Sequence, residues 1–427
     1  MQIRGVASKA VIEIKGYAFS KTARQTVTLY TSQILLIVLA IVTSSLNTRI
    51  LGPKDYGVLA FFGTVTGFSV LFFRFGLFSA GGLLLAQEKE EDKERKLIGA
   101  LVLIGFAVGL SFALFIFISS FFVDQIFHTN IRYILRIFSP LLIVLPFSLL
   151  IPQIGRGTNK ITNLACFNVI PKVLYVAVLL VLINLVHLSI TTLILLNLLA
   201  TIIAVATVVY SFKPSLVDLR ESFRKIWSKT KEYGVHLYWG QITNQSTYKL
   251  DGIFITYFVN TTQLGFYSLA NAITSPIAML SQSVSISMFK DFASKEQIPR
   301  RVFQLNFLWL SACMIGLVLI GRFIVVFLFT ERFLPVVPLI LPLAIAGFFH
   351  GMYQPYAFLA AKGKGKWIKN VASAEASFNV VGNLLLVYMY GAMGAAVASA
   401  IAKLIHFLGL TYYYLQYKKE VKHAKSE

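Results

Sequence analysis

The sequence predicts an all-α integral membrane protein, with about twelve transmembrane helices in two parallel-repeat bundles of six around a central cavity. Three observations predict this fold class. Apolar residues make up 57% of the 427 residues and charged residues only 13%, against roughly 25% charged residues in soluble domains; the mean hydropathy is +0.73. Apolar runs of about 20 residues, the length that crosses a hydrocarbon core, recur along the chain. Short motifs of the first half also return in the second half.

The apolar runs define the elements in chain order. The twelve predicted spans are approximately 26–48, 57–80, 97–123, 133–154, 161–185, 189–210, 234–259, 265–288, 303–330, 334–360, 367–390 and 392–415. They predict a domain order that is, from the N-terminus, a cytoplasmic amphipathic leader 1–25, a six-helix bundle 26–210, a cytoplasmic linker helix 211–233, a second six-helix bundle 234–415 and a basic cytoplasmic tail 416–427.

The basic residues lie almost entirely on one predicted side of the membrane. The N-terminus and every second connection carry 29 Lys and Arg residues, whereas the opposite connections carry four. Because short cytoplasmic loops of membrane proteins are enriched in Lys and Arg, both termini are expected in the cytoplasm. The net charge of +21 is not gathered on one domain, so it does not predict nucleic-acid binding.

A tandem repeat explains the order of the spans. The corner "RILGPKDYGVLAFF" between the first two spans matches "YFVNTTQLGFYSLA" between the seventh and eighth, with Gly57 and Gly265 separated by 208 residues. The motifs "GRG" (155–157) and "GKG" (363–365) have the same separation. Since six spans is an even number, the two halves should have the same orientation, as in one class of secondary transporters.

Charged residues inside the spans are the first candidates for a functional site, because they are costly in hydrocarbon and by default face a bundle interior or a watery cavity. For the three arginines among them, snorkelling to the interface is the alternative. For the three lysines a cavity role is favoured. The intramembrane charges are Arg74, Arg136, Lys172, Lys249, Arg322, Lys403, Asp251 and Glu375.

The seventh span, "YWGQITNQSTYKLDGIFITYF" (238–258), is unusually polar. At 100° per residue much of its polarity falls on one arc, which should line a hydrated pathway rather than face lipid. Lys249 and Asp251 are only two residues apart, so a direct pair between them is not expected. The polar residues on this arc are Gln241, Asn244, Gln245 and Tyr248, and the fifth span adds Asn168 one turn before Lys172.

No enzymatic or cofactor site is expected. The chain has no sizeable aqueous domain to hold catalytic groups and no G-x-x-x-x-G-K-[ST] sequence for a nucleotide. Cys166 and Cys313 both lie inside apolar runs, so neither a metal site nor a disulfide framework is indicated.

The chain resembles a known family in several stretches. "TRILGPKDYGVLAF", "LDGIFITYFVNTTQLGFYSLANAITSPI" and "GNLLLVYMYGAMGAAVASAIA" look like the polysaccharide-export flippases, also called Wzx-type or polysaccharide biosynthesis proteins, of the multidrug/oligosaccharidyl-lipid/polysaccharide (MOP) superfamily. The resemblance covers nearly the whole chain. It implies a V-shaped molecule that opens alternately to each side of the cell membrane. Its implied activity is ion-driven transfer of polyprenyl (pyro)phosphate-linked oligosaccharide to the outer leaflet.

The candidate residues fit such a substrate. A positive cavity attracts phosphate, polar side chains hold sugar hydroxyls, and a carboxylate can exchange a cation, either a proton or sodium. For the two carboxylates, structural pairing with a nearby Lys or Arg is the alternative. The expected partners are the lipid-linked oligosaccharide, the coupling cation and membrane lipids, with a monomer sufficient for function. The phosphate candidates are Lys172, Lys249, Lys403, Arg74 and Arg322; the sugar candidates are Gln241, Asn244, Gln245, Tyr248 and Asn168; the coupling candidates are Asp251 and Glu375.

Two other classes remain open. A MATE-like, cation-coupled exporter of organic cations would be expected to have an acidic, aromatic cavity, whereas six basic residues against two acids favour an anionic substrate. A scaffold or polymerase subunit fits the repeat and the intramembrane charges poorly. Within the flippases, cell-surface polysaccharide or glycan export is preferred over peptidoglycan, because lipid II flippases usually carry two further spans.

Overall fold

The computed structural model describes residues 21–423, apart from the side chains of residues 21–30, 32, 161, 236, 239–241, 243–248 and 290. Most of the predicted leader 1–25 therefore lies outside the described residues. All regular structure in the described range is helical. The α-helices are α1 Lys21–Ser69, α2 Leu77–Gln87, α3 Glu91–Ser119, α4 Val123–Phe127, α5 Arg132–Phe138, α6 Phe147–Gly157, α7 Ile161–Leu182, α8 Ile190–Ser211, α9 Arg220–Lys229, α10 Val235–Phe258, α11 Thr261–Thr274, α12 Met279–Ser287, α13 Phe289–Ser294, α14 Arg300–Ile324, α15 Val337–Tyr353, α16 Ala357–Ala361 and α17 Gly365–His423.

Eight helical segments within residues 21–423 are long and apolar enough to cross a membrane. Gly365–His423 contains two of the predicted spans, and Gln33–Arg74 covers most of two others. These two segments bend at Gly52 and Gly391, whose φ angles are 69° and 59°. Glycine adopts this left-handed backbone without the penalty that a side chain imposes. The eight segments thus account for ten predicted spans, and the predicted all-α, multi-pass fold class is confirmed.

The seventh and eighth spans are not among these eight segments of described residues. α10 is a continuous helix of 24 residues despite its polar sequence. The eighth span is divided into α11, a 3₁₀ turn at Ser275–Ala278, and α12. Together with the ten spans in the apolar segments, these two complete a count of about twelve.

The same spans are interrupted in each half. In the first half, 3₁₀ segments break the second span at Val70–Arg74 and the fourth at Ser139–Val144. In the second half they break the eighth span at Ser275–Ala278 and the tenth at Gln354–Tyr356. Three of the four segments have proline in their first turn. Proline lacks the N–H that would continue the preceding α-helix, so it accounts for these three interruptions. The recurrence supports the tandem repeat.

The chain forms two compact units. Unit 1 contains α1 up to Thr43 together with Phe72–Phe117 and Ile137–Trp239. Its core includes the fully buried side chains of Ile98, Leu101 and Phe212. The linker helix α9 contributes to the same core through Ile226.

Unit 2 contains Ser44–Leu71, Ile118–Arg136 and the chain from Gly240 onward. One of its cores packs Phe292, Phe358 and Leu410. Because unit 2 takes in two stretches that precede residue 210, compactness alone does not reproduce the predicted bundles, and their boundaries at 210 and 234 stay a prediction.

Within unit 2, the two glycines that the repeat aligns lie against each other. A methyl group added at Gly57 would overlap the carbonyl oxygen of Thr261 at the start of α11. One added at Gly265 would lie 2.9 Å from Gly57 Cα. The equivalent corners of the two repeats therefore meet backbone to backbone, at a distance that only glycine allows.

Candidate ion and substrate site in unit 2

A cavity of about 620 Å³ lies among α10, α11, α12, α15 and the second part of α17. Its volume is within the range of about 300–1,000 Å³ that is usual for small-molecule sites. Both an acidic and a basic side chain line it, Asp251 and Lys403. Hydrogen-bonding side chains make up much of the remaining wall, among them Tyr267, Asn271, Gln282, His350 and Ser399.

Asp251 sits at one side of this cavity and is only 7% exposed. Three side chains from three helical segments donate hydrogen bonds to its carboxylate. Tyr267 Oη and Ser399 Oγ donate to Oδ2 at 2.5 and 3.1 Å, and Asn383 Nδ2 donates to Oδ1 at 2.8 Å. Such hydrogen bonds offset the free-energy cost of removing a carboxylate from water. Asp251 therefore belongs to a preformed polar centre.

Two oxygen atoms next to this centre lack hydrogen-bond donors in the described part of the chain. They are the side-chain oxygens Oδ1 of Asn379 and Asn383, both buried. The Asn383 amide nitrogen donates both to Asp251 and to the backbone carbonyl oxygen of Asn379 at 2.8 Å, so the Asn383 amide is adjacent to the carboxylate and Asn379 lies one helical turn before it. Buried acceptors without donors are uncommon in folded proteins and call for an explanation such as a bound ion.

Glu375 has a different environment. Lys403 Nζ donates to its Oε1 at 2.7 Å, and His406 Nδ1 contacts its Oε2. Glu375 is 4% exposed and His406 8%. This geometry matches the alternative stated for Glu375 from the sequence, structural pairing with a basic residue. The Lys403 ammonium is thereby fixed at the edge of the cavity.

An aromatic stack continues from this ion pair. The rings of His406 and Tyr353 lie 4.1 Å apart between centroids, and those of Tyr353 and His350 5.1 Å apart. His350 returns to the cavity wall. Asp251, Lys403, Glu375 and the two histidines therefore line or adjoin the same part of unit 2.

Lys249 points away from this centre. A Cβ atom added at Gly67 on α1 would lie 2.8 Å from Lys249 Nζ, and Lys249 is exposed. Gly252, one turn on, packs against Thr64 of α1. Lys249 and Asp251 thus face different helices, and no ion pair joins them among the described residues, as their spacing predicted.

Three of the predicted site residues belong to unit 1. Lys172 and Asn168 lie on α7, where Lys172 is partly buried and Asn168 exposed. Arg74 ends the 3₁₀ segment after α1 and is partly buried. Their predicted contacts with substrate stay predictions.

The remaining arginines lie near helix ends of unit 2. Arg322 is exposed in the last turn of α14, which agrees with the snorkelling alternative. Arg136 lies near the end of α5 with its guanidinium 4.2 Å from the centre of the Phe121 ring. Neither residue lines the cavity that holds Asp251.

The four sugar-contact candidates of α10 have backbones in the helix, but their side chains lie outside the described residues. They are Gln241, Asn244, Gln245 and Tyr248. Their role stays a prediction.

Sequence reasoning missed the uncharged members of the site. Tyr267, Asn383 and Ser399 bind Asp251, yet single polar residues in a span are as often packing residues as ligands. The sequence separation from Asp251 to Asn383 is 132 residues, so only the fold brings them together. His406 carried a weak signal, since it lies one turn after Lys403 in an apolar helix.

The described residues contain no group of three or more His, Cys, Asp and Glu side chains suited to a metal ion. The oxygen atoms of the site that could bind a cation belong instead to one carboxylate, two amides and hydroxyl groups. Such a set of ligands suits a hard cation.

Comparison with known structures identifies the fold. The "Lipid II flippase MurJ, inward closed conformation" aligns with a TM-score of 0.67 and 16% identity over 91% of this chain and 87% of that chain. An inward-facing multidrug resistance MATE family transporter of the MOP superfamily aligns with a TM-score of 0.70 and 13% identity over 90% and 95%. The eukaryotic MATE transporter AtDTX14 aligns with a TM-score of 0.53 and 14% identity over 97% and 99%. Among curated proteins, none matches this chain by sequence.

The membrane-spanning helices, the buried charged centre and these likenesses define a multi-pass membrane protein with the fold of MOP superfamily transporters. The family described as "Polysaccharide biosynthesis protein" matches residues 46–338. The chain belongs to that family.

Proposed function

We propose that this protein is a flippase that moves a polyprenyl (pyro)phosphate-linked oligosaccharide from the cytoplasmic to the outer leaflet by alternating access, coupled to a cation. The transported glycan would serve cell-surface polysaccharide or glycan assembly. One observation carries the proposal: Asp251 and Lys403 line the same polar cavity of about 620 Å³, so a cation and an anionic group can act on one site. The family description supports the substrate class.

The cavity suits the polar part of such a lipid. The Lys403 ammonium has three donor hydrogens, so it can bind a phosphate oxygen while it remains paired with Glu375. Asn271 and Gln282 on the same wall offer both donors and acceptors for sugar hydroxyls. A volume of this size encloses a drug-sized ligand, so the cavity would hold the head of the lipid while the tail stays in the bilayer.

Asp251 is the proposed coupling residue. A proton bound to its carboxylate would supply one O–H donor, which could satisfy at most one of the side-chain oxygens of Asn379 and Asn383. A sodium ion could bind the carboxylate together with amide oxygens, because hard cations prefer oxygen ligands. The two buried oxygens without donors therefore favour sodium over a proton. Glu375, the other candidate, is better explained as the residue that positions Lys403.

The proposed location is the cell membrane, with both termini in the cytoplasm. The strong bias of Lys and Arg toward one set of connections supports this orientation. Both repeats are on one chain, so a monomer would suffice.

The alternative is a MATE-like exporter of organic cations. The MATE fold of its structural neighbours and the Asp251 carboxylate in the cavity favour it. The Lys403 ammonium in the same wall disfavours it, because a fixed positive charge repels a cationic substrate.

The deciding experiment measures flipping. Purified protein is placed in liposomes with a fluorescent polyprenyl-pyrophosphate oligosaccharide, and an impermeant quencher reports the label in the outer leaflet over time. We expect protein-dependent exchange, slowed in Lys403→Gln, Lys172→Ala and Lys249→Ala. Unchanged flipping in a variant would remove that lysine from the substrate path. No exchange, together with uptake of an organic cation under a sodium or proton gradient, would establish the exporter instead.

A further inference from the structure

A second cavity, of about 600 Å³, opens on the surface of unit 2 at the end of the last helix. One wall is the final part of α17, with Tyr412, Leu415 and the lysines Lys418, Lys419 and Lys422. The other wall is the connection between α13 and α14, at Glu296 and Gln297. We call this feature the tail groove. None of the residues assigned to the Asp251 site lines it.

The walls of the tail groove are fixed to each other. The backbone N–H of Ile298 donates to Tyr414 Oη at 3.0 Å, which joins the α13–α14 connection to α17. Ile298, Phe292 and Tyr414 are buried in one core. The groove is therefore a preformed feature of packed elements.

The charge of the groove is positive. Among the described residues of α17 beyond residue 410, the acid is Glu420, and its carboxylate pairs with Lys364 Nζ at 2.9 Å, a residue that does not line the groove. The three groove lysines therefore face one acid in the groove wall, Glu296. Such a concave basic surface favours an anion.

The groove also spans the boundary between apolar and charged surface. Tyr412 is 66% exposed and Leu415 52%. Such exposure of neighbouring apolar side chains would be unfavourable on a surface that faces water. One turn further along the helix the lysines begin. Aromatic residues are enriched at the headgroup level of membranes, and lysine stems lie along apolar surface while their ammonium groups reach the headgroups.

We propose that the tail groove binds the phosphate headgroup of an anionic membrane phospholipid, with the three lysines on the phosphate and Tyr412 and Leu415 against the glycerol and the upper acyl chains. A free phosphate would satisfy the lysines alone and leave the apolar part of the groove unused. The lipid source is therefore the one that accounts for the whole groove. This site is separate from the proposed transport activity and does not depend on it.

The test counts the lipid bound to the purified full-length protein. The protein in neutral detergent is titrated with phosphatidylglycerol, and retained lipid is measured by native mass spectrometry, with phosphatidylcholine as the neutral lipid. The groove variant is Lys418→Gln, Lys419→Gln and Lys422→Gln together, with Lys419→Gln alone as a milder version. The matched control replaces three exposed lysines of unit 1, Lys89, Lys213 and Lys231, by Gln, which removes the same charge from the same predicted membrane face.

We expect the groove variant to bind phosphatidylglycerol at least about tenfold more weakly, with the control close to the unsubstituted protein and Lys419→Gln between them. Equal losses in the groove variant and the control would overturn the proposal in favour of diffuse attraction to a basic face. No loss in any variant would overturn it as well.

A second variant separates the lipid from free phosphate. Tyr412→Ser with Leu415→Gln keeps the three lysines and removes the apolar contacts. We expect it to weaken phosphatidylglycerol binding and to leave competition by inorganic phosphate unchanged. If it binds the lipid normally while the lysine variant loses both ligands, the groove is a site for a phosphate-bearing solute and the lipid assignment is wrong.

Discussion

At the scale of single residues, the environment of Asp251 predicts that sodium stabilises the protein. If sodium binds its carboxylate with the oxygens of Asn379 and Asn383, sodium chloride should raise the Tm of the purified protein above its value in potassium chloride, because a ligand that binds the native state stabilises it. Asp251→Asn keeps the shape and should abolish this difference and the dependence of flipping on a sodium gradient. Thermal unfolding in the two salts checks this. An equal sodium effect in the variant would move the coupling site elsewhere.

The pair Glu375 and Lys403 makes another prediction at this scale. The two side chains are 5% and 13% exposed, so Lys403→Met leaves a buried carboxylate whose remaining partner is His406. Removing one member of a buried pair costs up to about 3–5 kcal/mol, and the double substitution with Glu375→Gln should cost less than the sum of the single ones. Glu420→Gln is the control, since its half-exposed pair with Lys364 is worth roughly 0–1 kcal/mol. Additive losses in the double-mutant cycle would contradict a direct pair.

At the scale of elements, the contact between α1 and α11 predicts the effect of one methyl group. Gly57→Ala places a Cβ atom on the carbonyl of Thr261, where backbone cannot yield without moving a helix, so we expect a loss of about 1–3 kcal/mol. Gly63→Ala lies on the same helix with open space around its Cβ, and alanine there should be neutral or stabilising. Thermal unfolding of the two variants decides it. Equal stability would mean that α1 and α11 are not tightly packed.

The same elements show how far sequence reasoning reached. The spans and the Gly57–Gly265 repeat followed from local patterns with a clear physical cost, and the structure contains them. Charge in hydrocarbon is equally costly, which is why Asp251, Glu375 and Lys403 were found. The uncharged residues that bind Asp251 could not be predicted. An asparagine or serine in a span can take several structural roles at little energetic cost, and its partner is set by tertiary packing. Tertiary packing also determines that Lys403 pairs with Glu375 and not with Asp251.

At the scale of the whole molecule, orientation is the property on which the direction of transport depends. The bias of basic residues predicts that Lys54 faces outward and Lys366 faces the cytoplasm. Both are exposed, so each can be replaced by cysteine in a chain whose Cys166 and Cys313 are changed to serine. An impermeant maleimide should label Lys54→Cys on intact cells and Lys366→Cys only after permeabilisation. Labelling of both after permeabilisation is the control for reactivity.

This measurement also fixes the side of the tail groove. Lys364, two residues before the labelled position, pairs with Glu420 of the tail helix, so the groove and residue 366 are on the same side of the membrane. Labelling of Lys366→Cys on intact cells would reverse the topology. The proposed lipid would then come from the outer leaflet, and the proposed direction of flipping would no longer follow from the charge distribution.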